Sequence, residues 1–183
     1  MLDWHLGTSK LSKEVGVYTA RKKGVPVMIP KKILFCADFS ENSEPARELA
    51  VDYAKTFGAH LLIIHVIDST SFSTYEGWIG EELNEVLDRM KESATVRLES
   101  LRAECSQTVG SVETYCRVGS PASEIIALAV EKSADLIVVG THGRTGVKGL
   151  VMGSIARSVL RTAHRPVLIM EAPSGKGESS EGL

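Results

Sequence analysis

Between residues 134 and 170 the chain reads ADLIVVGTHGRTGVKGLVMGSIARSVLRTAHRPVLIM. An apolar run over 136–139 stops at Gly140, a glycine-rich loop follows, and Gly153-Ser154 opens a helical pattern. Pro166 then introduces a second apolar run, VLIM, over 167–170. A buried strand that hands the chain through small residues to a helix start is an α/β device. It also suits an anion: glycines let backbone N–H groups approach closely, and a helix start offers unpaired donors at the positive end of its dipole.

The same alternation runs through the preceding residues. Strand one is predicted over 31–37 (KKILFCA), with Asp38 where it gives out. Pro45 fits the first turn of the next helix, where its missing N–H is harmless. Ala46, Leu49, Ala50, Tyr53, Ala54 and Phe57 recur at helical spacing, and Gly58 is the expected stop. Strand two, 60–67 (HLLIIHVI), is almost continuously apolar, as a parallel strand covered on both faces should be. A Ser/Thr-rich loop leads to a helix over 79–105, with Leu83, Leu87, Met90, Ala94, Leu98 and Leu101 as its buried stripe. Strand three, 112–118, alternates instead, which suits a sheet edge. Ser120-Pro121 starts the third helix with Ser120 as N-cap, lined by Ile125, Ile126, Ala129 and Val130. Helix four is expected over 154–163 and strand five over 166–170.

Strands alternating with helices imply right-handed crossovers and a mostly parallel sheet with helices on both faces. The chain divides into an N-terminal extension, 1–30, that does not follow this pattern, a domain over 31–171, and a polar tail, 172–183, expected to be disordered. With 183 residues, 43% of them hydrophobic, one domain can form a full core. A formal net charge of −2 offers no basic excess to attract nucleic acid. No apolar run approaches the roughly 20 residues that span a bilayer, and no signal-peptide segment opens the chain, so the cytoplasm is the expected location. The three cysteines form no C-x-x-C pair, and Cys36 and Cys116 read as small core residues within strands. Arg21-Lys22-Lys23 reads as a solvated basic face.

The glycine spacing, Gly140-x2-Gly143-x9-Gly153-Ser154, is neither G-x-x-x-x-G-K-[ST] nor G-x-G-x-x-G. With the GRTG…GS wording around it, it resembles the ATP-binding branch of the universal stress protein family, over roughly 31–171. The resemblance implies a Rossmann-like three-layer α/β/α sandwich whose five-stranded, mostly parallel sheet has the order 3-2-1-4-5. Strands one and four are then neighbours from which the chain departs in opposite directions. Ligands bind at such a switch point, beyond the carboxyl ends of the strands. Asp38 and Gly140 end those two strands.

The resemblance also implies contacts. Gly140 lies near the ribose; Gly143, Gly153, Ser154 and the N–H of Ile155 cradle the phosphates; the backbone of Val66 reads the adenine edge. Apart from the family, Val66 is an ordinary core valine, and the glycines could serve only tight helix packing. Ser154 is expected both to cap helix four and to reach a phosphate. Asp38 has two readings, a hydrogen bond to the nucleoside or a cap on the helix beginning near Asn42; the family assigns the first. Many relatives carry proline where Cys36 stands, so the packing beneath the base differs here. His142, Arg144 and Lys148 place positive charge on the loop, either beside a polyphosphate or in solvent. His60 and His65 show no metal-ligand spacing, and His164 suits a helix end. No dedicated metal site is expected; Mg²⁺ would arrive with the triphosphate.

The leading function is an ATP-binding stress or regulatory protein in which nucleotide modulates a homodimer formed through the last strand. A slow ATP hydrolase or autophosphorylating protein is the alternative. Between Gly140 and Gly153 there is no Asp or Glu to orient water, which favours binding over turnover. A nucleotide-independent scaffold or chaperone would leave the glycine motif without a use.

Overall fold

β1 (Lys32–Cys36) runs parallel between β2 (His60–Asp68) and β4 (Leu136–Gly140). The computed structural model describes residues 29–70, 81–141 and 152–171, together with the backbone of Trp4–Leu6 and Ala20–Lys22. β3 (Val112–Gly119) pairs with β2 and β5 (Val167–Met170) with β4, both parallel, so the five-stranded sheet has the order 3-2-1-4-5. The crossovers are α1 (Glu44–Phe57), α2 (Glu81–Cys105), α3 (Pro121–Glu131) and α4 (Ser154–Thr162).

The period-two alternation of each strand divides the core between two faces. Ile33, Phe35, Leu61, Ile63 and Val138 meet Ala46, Ala50 and Ala54 of α1 and Leu98 of α2. Leu34, Leu62, Ile64 and Ile137 meet Ile125, Leu128 and Ala129 of α3 and Val159 of α4. With both faces covered, β1, β2 and β4 have no wet side, hence their unbroken apolar sequence. β3 lies at one edge and keeps none of its residues fully buried. Its Arg117 pairs with Glu131, and such charges blunt an open edge.

Gly58 closes α1 in the left-handed conformation, φ 62°, its N–H reaching the carbonyls of Ala54 and Lys55. This is the stop expected of a glycine, which carries no Cβ to penalise that backbone. Several expectations need correction. Phe57 lies past the last buried alanine of α1 and is 41% exposed, edge-on to Tyr53. Val130 is 59% exposed, and Leu128 takes the inward place, because the buried stripe of α3 runs at i, i+3 and i+4 from Ile125. Ser120 holds the N-cap position of α3 but makes no side-chain cap bond. The N-cap of α4 is Gly153, so Ser154 is the first helical residue and does not cap it.

Trp4–Leu6 and Ala20–Lys22 form a two-stranded antiparallel ladder, with Trp4 opposite Lys22. Nothing in their sequence periodicity announces it. The expected start of the second helix at Ile79, the Ser/Thr-rich loop beyond residue 70 and the polar tail lie outside the described residues. Among the described residues no helix is long and apolar enough to cross a membrane.

Candidate functional site

β1 stops first. The N–H of Ala37 still bonds the carbonyl of Ile64 at 2.8 Å, after which the chain turns away while β2 continues to Asp68. Backbone groups of alternate residues in a parallel strand point to the same neighbour. The N–H and C=O of Val66 therefore face the side of Ile64's carbonyl, past the end of β1. On the other side of β1 the chain leaves β4 at Gly140 and returns to α4. Between these departures lies a cavity of about 930 Å³. Its walls are the carboxyl ends of β1, β2 and β4, the first turn of α4, and one flank of α2.

Asp38, Val66, Gly140, Gly153, Ser154 and Ile155 all line this one cavity. Gly143 and the basic residues His142, Arg144 and Lys148 lie outside the described residues. Asp38 does not act as a helix cap. Its carboxylate accepts hydrogen bonds from the N–H of Ser40 at 2.9 Å and from the Ser40 hydroxyl at 2.8 Å, and Ser40 itself holds the N-cap position of the short Glu41–Ser43 turn. This Asx-type turn pins the segment just beyond β1. Cys36 also lines the cavity. Desolvation pushes its thiol well above the ordinary value, so it stays protonated at neutral pH and is a poor nucleophile.

Gly153 has a specific structural reason to be glycine. Its N–H donates to the carbonyl of Thr141 at 2.8 Å, while Thr141 continues the β4–β5 ladder through its N–H to Met170. The glycine loop thus leaves and re-enters through a closed neck. A Cβ on Gly153 would lie 2.8 Å from that same Thr141 oxygen, too close for any real side chain. The missing Cβ would therefore point at the chain's own backbone. Beyond the neck, the N-cap residue of α4 is a glycine and offers no side chain to its first turn. The first-turn N–H groups of Ser154, Ile155 and Ala156 precede any intrahelical acceptor, and these residues line the cavity.

Sequence reasoning missed the far wall. Arg89, Met90 and Arg97 of α2 line the cavity with Phe39 and His65. His65 is 8% exposed and stacks on Phe39 with ring centroids 4.3 Å apart. Their sequence contexts carry no motif, and a lone histidine in an apolar strand signals only burial. His60, at the other end of β2, lies 3.2 Å from Glu113 and takes no part in the cavity. Among the described residues no group of three or more His, Cys, Asp or Glu is arranged to hold a metal ion.

The sequence model of the universal stress protein family matches residues 30–171. The chain belongs to this family. Universal stress protein MJ0531 of Methanocaldococcus jannaschii is 34% identical over 143 residues, covering 78% of this chain and 83% of that protein. Universal stress protein MJ0577 of the same organism is 30% identical over 153 residues, covering 77% of this chain and 94% of that protein. The solved structure of MJ0577 superposes with a TM-score of 0.66 over 78% of this chain and 96% of its own. A universal stress protein from Archaeoglobus fulgidus, solved in complex with dAMP, shares the fold at 22% identity and a TM-score of 0.55, covering 79% of this chain and 100% of that one. The α/β sandwich and the order 3-2-1-4-5 are thus those of universal stress proteins.

Proposed function

We propose that this universal stress protein binds an adenine nucleotide, ATP with its Mg²⁺, in the cavity at the switch point, and that the nucleotide modulates a homodimer. One observation carries the reading: a carboxylate, the stretch of β2 that runs on past the end of β1, and the first turn of α4 all line one cavity. These are the three kinds of group that a nucleoside phosphate needs. The volume, about 930 Å³, lies within the range of roughly 300–1,000 Å³ for small-molecule sites. Asp38 would accept a hydrogen bond from the nucleoside, and the backbone of Val66 would pair with the edge of the base. Gly140 would pass beside the ribose. Ser154 and the N–H of Ile155 would take the phosphates at the positive end of α4, with Gly143 supplied by the loop. Mg²⁺ would be carried by the phosphates, which it holds with few protein ligands.

The A. fulgidus relative solved with dAMP supports the adenine class of ligand. The direct test is calorimetric titration of the purified protein with ATP and with GTP. Saturable binding of ATP at one site per chain, well ahead of GTP, is expected; no heat from either nucleotide would refute the reading. Binding without rapid turnover is the expected mode, because nothing acidic in the glycine loop can orient water. The cytoplasm is the proposed location.

The homodimer is assigned to β5. This strand is the other edge of the sheet, its sequence VLIM is wholly apolar, and each of its residues is only partly buried. An apolar, uncharged edge invites pairing with another chain, and two copies can satisfy each other about a two-fold axis. Sedimentation at about 10–100 µM, by order of magnitude for a modest interface, should show a dimer. Ile169→Lys, which puts a charge into the strand, should shift it toward monomer. A parent that sediments as a monomer throughout that range would remove β5 pairing from the proposal.

A further inference from the structure

Phe39 follows Asp38 directly and holds a left-handed backbone, φ 61°. A bulky aromatic residue rarely adopts this region and persists there only where its surroundings over-determine it. Here they come from two other elements. Arg97, from α2, donates Nη2–H to the carbonyl of Phe39 at 3.1 Å and lays its guanidinium 4.2 Å from the ring centroid. His65, from β2, stacks on the same ring, and its Nδ1 lies 2.8 Å from the carbonyl of Ala37. Asp38 therefore sits between two residues that are each anchored from outside their own segment.

The anchor on α2 is itself firmly placed. Ala94 and Leu98, on either side of Arg97, are 5% and 2% exposed, and Leu98 packs in the core cluster with Phe35 and Ile63 of the sheet. A change in how α2 rests on the sheet would move the guanidinium, and with it the turn that carries the Asp38 carboxylate. A lysine could supply the charge but neither the planar stack nor the same directed donor.

We propose that Arg97 is a positioning residue for the nucleoside end of the cavity, holding the Asp38–Phe39 turn in its strained form and so coupling ligand affinity to the seating of α2. This rests on the functional reading above and adds a residue that acts through Asp38. Arg97 also lines the cavity, so a direct contact with phosphate is the rival explanation, and the test must separate the two.

Arg97→Ala and Arg97→Lys, each alone and combined with Asp38→Ala, are titrated with ATP and adenosine after thermal unfolding has established that each variant is folded. Arg97→Ala should weaken both ligands by the same factor, about tenfold, within the range for coupled neighbours. Arg97→Lys should lose nearly as much. In the Asp38→Ala background, Arg97→Ala should cost less than about twofold more, since its route to the ligand is already gone. Additive losses would overturn the proposal. So would a loss confined to ATP, which marks a phosphate contact.

A second readout needs no ligand. The amide of Ser40, which donates to Asp38, should exchange its hydrogen faster in Arg97→Ala while amides of α2 keep their protection. Unchanged exchange at Ser40 would also overturn the proposal. If the parent binds neither ligand, the functional reading fails, and Ser40 exchange still decides whether Arg97 holds the turn. Should Arg97→Ala not fold, Arg97→Lys carries the same measurements.

Discussion

Phe35→Ala should lower the stability of the protein by about 3–5 kcal/mol, the range for removing a fully buried aromatic side chain. Phe35 is 1% exposed in the middle of the central strand, between Ile63 of β2 and Val138 of β4 in the parallel register. The helix that covers this face offers little to refill the space. The fully buried residues of α1 are Ala46, Ala50 and Ala54, which let the helix lie close to the sheet and leave Phe35 to supply the volume. Side chains that could lean in, such as Leu98 and Ile63, are themselves packed in the same cluster. The interior is packed densely enough that a gap of this size is felt by every neighbour. For a domain of this size, each kcal/mol shifts the melting temperature by about 2–4 °C. The expected fall is about 6–20 °C, with a matching drop in the urea midpoint. A loss under about 1 kcal/mol would mean that the face collapses onto the gap, contrary to this account.

The same two-faced core explains which parts of the fold were legible in the sequence. β1, β2 and β4 are apolar on both sides, so they appear as unbroken runs between turn residues, and the glycine at 58 marks the end of α1 without help from tertiary contacts. Where legibility failed, the deciding information lay in packing. In α3, residues 125, 126, 129 and 130 form a plausible apolar stripe, but Leu128 competes for the same face and only the angle of the helix on the sheet chooses between them. In α1, Phe57 satisfies the periodicity, yet it lies past the last buried alanine and is 41% exposed. The site divided in the same way. Asp38, Gly140 and Gly153 could be picked out because each stands at a local junction of strand or helix with loop. Phe39, His65 and Arg97 could not, because their meeting depends on three separate elements, and a left-handed aromatic residue leaves no trace in composition. Gly153 is the intermediate case: its position was legible, but the direction of its missing Cβ was not.

That direction changes what a substitution at Gly153 should do. Gly153→Ala and Asp38→Ala are expected to weaken nucleotide binding in different ways. A Cβ at 153 would meet the Thr141 carbonyl at 2.8 Å, so the neck of the glycine loop must open and the hydrogen bond from the Gly153 N–H must lengthen or break. Accommodating an overpacked group of this kind costs about 1–3 kcal/mol of stability. It also displaces the first turn of α4, where the N–H groups proposed to hold the phosphates begin. Hydrogen bonds to charged groups contribute about 1.5–3 kcal/mol each, so ATP affinity should fall by at least tenfold to a hundredfold. Adenosine, which lacks phosphates, should bind nearly as well as to the parent. Asp38→Ala leaves α4 in place and removes an acceptor for the nucleoside, for a loss of about 1–3 kcal/mol if that bond is buried, felt equally by ATP and adenosine. Gly153→Val should repeat the alanine pattern more severely, with the side chain striking Thr141 before it reaches any phosphate. Calorimetric titration of the folded variants with both ligands distinguishes the patterns. Equal loss of ATP and adenosine in Gly153→Ala would show that α4 does not serve the phosphates, and parental ATP affinity in both variants would place the nucleotide outside this cavity.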